Sequence, residues 1–277
     1  MIHDTVAHVA RVLPDPVVQY LDRTTTADGL SPTALTLGKL IVVLWTMLFA
    51  GVLPFPQMPA GLAMTDPGAP EAAAVAAGLA GAAEYLLMWG VMMAAMMYPA
   101  VFARSVDYVE SVDGSAVTKL VVGTGFLGAY SLAWAATGVI PLAVEAVVDI
   151  NALATTAGRF AVPAVLFVAG AYQFTRLKRG AVATCCAMTP SGGDGGGRLA
   201  NALRDGLSHF RSCFTCTWAL CGLMVVFGTM NAFWMLLLSA VFTAERAGDG
   251  NRVAATVGLM LLWSAASVLL TGVPGYV

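Results

Sequence analysis

His209, Cys213 and Cys216 stand at i, i+4 and i+7. On a helix with 3.6 residues per turn, those offsets place an imidazole and two thiols within about 60° of one another. Such a set of soft donors can hold one transition-metal ion. Asp205 precedes the histidine on the same face, placed to orient its ring, and Met224, Asn231 and Met235 continue the stripe. Upstream, the run Met88-Trp89-Gly90-Val91-Met92-Met93-Ala94-Ala95-Met96-Met97 holds five of the 14 methionines. Glu84, Met88, Met92 and Met96 share one helical stripe, and Met93 and Met97 the adjacent one. Thioethers are neutral, soft ligands that suit Cu(I) and line hydrocarbon without the desolvation cost of a carboxylate. The plainer use of both clusters is packing, since methionine fills irregular gaps and buried cysteine acts as a small hydrophobe. A histidine ahead of a Cys-x-x-Cys unit on one face favours the metal.

All five cysteines follow residue 184: Cys185 and Cys186 in a connection expected to be a loop, then Cys213, Cys216 and Cys221. Four of them map to the expected cytoplasmic face, where disulfides are rare and clustered thiols bind metal or do redox work. Met96, Met97, His209 and Cys213 are expected at one depth, so that if their helices touch, Cys185 could close a shared site. Two cysteines and a histidine also accept Zn(II).

These groups must be positioned by apolar helices. Of the 277 residues, 58% are hydrophobic and 11% charged, and the mean hydropathy is +0.79. Soluble domains carry about 25% charge. Six stretches are long enough to cross a bilayer: Leu35–Pro54, Leu79–Pro99, Leu120–Pro141, Phe160–Leu177, Ser212–Ala244 and Val253–Thr271. The fifth is overlong and is read as one helix, tilted or bent near Gly228. The expected fold is an all-α, polytopic membrane bundle of about six transmembrane helices in the cell membrane. The distribution of Lys and Arg places the N and C termini in the cytoplasm.

Residues 1–34 read as a cytoplasmic arm, with Ile2, Val6, Val9 and Leu13 at the spacing of an interfacial helix, and 35–277 as the metal-binding bundle. No signal peptide is expected in the arm. Ser31-Pro32 reads as a helix start, and the Gly-rich run 191–197 as a linker, since no Gly-Lys-Ser/Thr follows it. The net charge of −2 gives no basic field for nucleic acid. The three histidines include no Ser-His-Asp arrangement. Apart from Glu84, the spans hold no carboxylate or Lys at mid-depth, which argues against a proton- or sodium-coupled carrier.

The combination of motifs resembles the predicted metal-binding integral membrane protein family, a copper chaperone-like family of unknown function. The matching residues are Met88, Trp89, Met92, Met93, Met96, Met97 and Pro99, then Tyr172, Lys178 and Cys185. Gly206, His209, Cys213, Cys216, Trp218, Ala219 and Leu220 follow, and Gly228, Met230, Asn231, Trp234, Met235 and Glu245 complete the set. The chain departs from that pattern at Phe210, Thr217 and Ala181, where the family usually has Gly, Cys and Cys. The resemblance implies metal binding.

The favoured expectation is a membrane protein that binds a soft metal, most readily Cu(I), and passes it to a metal-receiving protein or across the bilayer. A thiol-disulfide oxidoreductase using Cys213 and Cys216 is a second expectation, and a non-metal accessory subunit a third.

Overall fold

The computed structural model describes residues 25–26, 29–51, 67–186 and 197–272. The interfacial helix expected in residues 1–24 and most of the linker lie outside them. A small hairpin of β1 (Thr25–Thr26) and β2 (Gly29–Leu30) precedes ten helices among the described residues. They are α1 (Pro32–Ala50), α2 (Ala69–Ala76), α3 (Gly78–Glu110), α4 (Ala116–Ala136) and α5 (Val139–Val147), then α6 (Ile150–Tyr172), α7 (Arg176–Cys186), α8 (Arg198–Phe227), α9 (Ala232–Ala247) and α10 (Gly250–Thr271). The expected all-α bundle is the fold found.

Local chemistry sets the helix ends. Ser31 Oγ accepts the Ala34 N–H at 3.1 Å, and Pro32 opens α1, as expected from the sequence. Ser115 and Asp149 cap α4 and α6 in the same way. Five units are long and apolar enough to cross a membrane: α1, α3, α4 with α5, α8 and α10. The pair α6 and α7, bent by 63°, makes a sixth.

The fifth stretch departs from the sequence reading. It is two helices, because Gly228 adopts φ 90° and ψ 118°, outside the range open to side-chain-bearing residues. The Asn231 side chain then accepts from the Phe233 and Trp234 N–H groups and starts α9. α9 folds back along α8, so that Arg246 reaches Cys213. Its 16 residues are about 24 Å long, short of a full crossing.

The remaining order follows from close approaches. α4 and α8 run parallel: Gly125 faces Leu199 and Ala202, Tyr130 meets Cys213, and Trp134 packs on Phe210 and Phe214. Gly206 is needed at this seam, since any Cβ there would strike the Phe126 carbonyl oxygen. α6 and α10 run antiparallel, with Phe174 beside Gly258 and Gly170 beside Leu261 and Leu262. At one end of the bundle, Thr33 and Lys119 donate to Glu110. At the other, Gly68 lies against Ile150, and Tyr85 donates to Glu71. With α9 turning back, α10 finishes at the end where α6 begins. The described chain therefore starts and stops at opposite ends of the bundle.

Candidate metal centre

Three helices meet at the thiols. Thr175 immediately precedes α7, and its Oγ1 accepts the Lys178 N–H after the turn that bends α7 away from α6. Lys178 Nζ is fully buried and donates to both Glu245 carboxylate oxygens, at 2.9 and 2.7 Å, and to the Cys216 carbonyl at 2.6 Å. One ammonium thereby ties α7 to α9 and α8. An ion pair shielded from water in this way holds only with good geometry and satisfied hydrogen bonds, and both conditions are met here.

This tie brings Cys185 of α7 beside Cys213 and Cys216 of α8. The three sulfurs lie within 4.8 Å of one another, and none of these residues is more than 1% exposed. All three are free thiols. Sulfurs that share one ion at about 2.3 Å stand about 4 Å apart, so the trio needs little contraction to close on a metal. His209 Nε2 stands 3.8 Å from Cys185 Sγ, and the ring lies between Phe126 and Tyr130. Its Nδ1 is buried and has no partner. Arg246 donates through Nη2 to Cys213 Sγ at 2.9 Å and to Cys216 Sγ at 3.4 Å. Tyr130 Oη shares a 3.1 Å hydrogen bond with Cys213 Sγ. Thiols with an imidazole at their edge form a soft donor set that suits Cu(I) and also accepts Zn(II).

Several sequence expectations change in detail. Cys185 lies on a helix, not in a loop, and is the third member of the cluster. Asp205 does not orient His209: it accepts from Tyr108 Oη at 2.9 Å, and the free histidine nitrogen stays unpaired. Thr217, where the resembled family usually has Cys, donates to the Cys213 carbonyl of its own helix. Met88, Met92, Met93, Met96 and Met97 are all 4% or less exposed and belong to the same buried core as Cys185 and Cys213. Their helix does not pack chiefly on α8; its main neighbours are α1, α2, α4 and α9. It approaches the centre through α9, where Ser239 Oγ donates to the Met96 carbonyl.

Sequence reasoning missed Arg246, and it carried Lys178 and Glu245 only through the resemblance. The available signal was a Glu-Arg pair at the end of an apolar run, since charge at such a position has a buried partner or a function.

Fold and site together define a class: an apolar, multi-helix bundle with a buried thiol cluster fit for a soft metal. Residues 86–268, about two-thirds of the chain, match the family model described as PpoB2, copper chaperone, and the chain belongs to that family. No curated protein and no solved structure gives a match.

Proposed function

We propose that the protein is embedded in a cell membrane, binds Cu(I) at Cys185, Cys213, Cys216 and His209, and passes it on to a receiving protein or across the bilayer. The observation that carries this reading is the trio of buried thiols within 4.8 Å of one another, drawn from two helices and flanked by an imidazole. Thiols in that arrangement without disulfides favour a thiophilic ion over a structural role. The buried thioethers of Met88, Met92, Met93, Met96 and Met97 extend soft, uncharged donors along α3, which suits passage of a monovalent ion through a low-dielectric core. Membership of a copper chaperone family supports copper over zinc.

The test is elemental analysis of the detergent-purified protein together with competition against a Cu(I) indicator. Copper should co-purify with the wild-type chain and be lost when His209, Cys213 and Cys216 are all changed to Ala. Retention of more than roughly half the wild-type copper would overturn the site, because removal of donors should abolish tight binding. Zinc in place of copper would keep the centre and change the cargo.

A further inference from the structure

A second feature lies on the seam between α7 and α8. A groove of about 390 Å³ is lined there by Arg176, Ala181 and Thr184 from α7 and by Arg211, Ser212 and Thr215 from α8, among others. Thr184, Ser212 and Thr215 are the residues immediately before Cys185, Cys213 and Cys216. The groove therefore opens along the same helix pair that holds the thiols. Arg176 and Arg211 are exposed, and neither side chain makes an ion pair or hydrogen bond among the described residues. No carboxylate lines the groove.

Two free guanidiniums repel a naked metal cation and bind carboxylates through paired N–H donors. Thr184 and Thr215 already donate to the Gly180 and Arg211 carbonyls and can only accept from a ligand, while the Ser212 hydroxyl can donate or accept. The volume falls within the range of small-molecule sites. A soft cation is carried in a reducing compartment by thiols, and glutathione is the major low-mass thiol pool there. A carrier of that kind brings its own negative charge to the arginines while holding the metal on sulfur.

We infer that this groove docks an anionic, low-mass thiol complex of Cu(I), with its carboxylates on Arg176 and Arg211, for exchange of the copper onto the Cys185–Cys213–Cys216 cluster. The inference rests on the metal reading above. In the exchange, the bond from copper to the carrier sulfur breaks and a bond from copper to a cysteine Sγ forms. The proton displaced from that cysteine thiol goes to the departing carrier thiolate. Copper stays in the +1 state throughout, so no electron donor or acceptor is required.

The experiment uses the full chain, purified in detergent, reduced and free of copper. Cu(I) is offered either as its glutathione complex or as its acetonitrile complex, which carries no carboxylate. The double variant R176Q/R211Q should take copper from the glutathione complex about tenfold or more slowly than wild type at low salt, as expected when charge steering is lost. It should match wild type with the acetonitrile complex, which also shows that the variant folds and keeps its thiols. Added salt should slow wild type only with glutathione. Equal wild-type and variant rates from glutathione overturn the inference. Equal slowing with both carriers also overturns it, since the arginines would then act on the centre itself. Failure of the wild-type protein to take copper even from acetonitrile would instead refute the metal centre, and the groove's role with it.

Discussion

At the scale of single residues, the centre depends on charges that sit inside an apolar body. Lys178 and Glu245 neutralise each other, and Arg246 is left to face the thiols. Lys178→Met strands the Glu245 carboxylate, and the expected cost is about 3–5 kcal/mol, measured by thermal or denaturant unfolding in detergent. The double variant K178M/E245L should recover much of that loss, because it removes both charges. Arg246→Leu leaves the fold but takes away the donor shared by Cys213 and Cys216. A drop of about 10–100-fold in Cu(I) affinity is expected by indicator competition. His209, Cys213 and Cys216 could be read from spacing alone because all three lie on one helix, where periodicity fixes their relative direction. Asp205 and Arg246 could not, because their partners come from other helices and nothing local encodes which side chain arrives.

At the scale of elements, the hairpin between α8 and α9 decides the geometry. Hydropathy runs on almost unbroken from Ser212 to Ala244, so apolar content cannot show that the chain reverses. The reversal is set by Gly228 and the Asn231 cap. Gly228→Ala should destabilise the protein by about 1–3 kcal/mol, seen as a lower unfolding midpoint, because a side chain at φ 90° is strained. α2 is fastened to α3 by the Tyr85–Glu71 hydrogen bond of 2.6 Å. Burial raises the Glu71 carboxyl above its ordinary value of 4.5, outweighing that hydrogen bond. A carboxyl with a raised folded-state value holds its proton more tightly when folded. Its contribution is full below the unfolded value and is lost as pH rises through the folded one. The unfolding midpoint should therefore fall as pH is raised from about 4.5, and Glu71→Gln should flatten that slope. An unchanged slope in the variant would assign the effect to another group.

At the scale of the whole molecule, the six apolar stretches and the all-helical class were legible because a chain this poor in charge has few other folds open to it. The count of reversals was not, since it turned on one glycine. The extra reversal also carries the end of α10 away from the end of the bundle that holds Glu110, Lys119 and the start of α8 with Arg198 and Arg204. On the membrane reading proposed above, the positive-inside rule turns that end to the cytoplasm. A reporter fused after Val277 should then be active on the far side of the membrane, and one fused before Met1 on the cytoplasmic side. Both reporters on one side would contradict the hairpin. The Lys178–Glu245 tie has a consequence for biogenesis as well. The partners are 67 residues apart in the chain. At about 5–20 residues per second, a ribosome needs roughly 3–13 s to add the second after the first. During that interval the nascent chain holds an unmatched ammonium, so α7 cannot lodge in its final place until α9 has emerged.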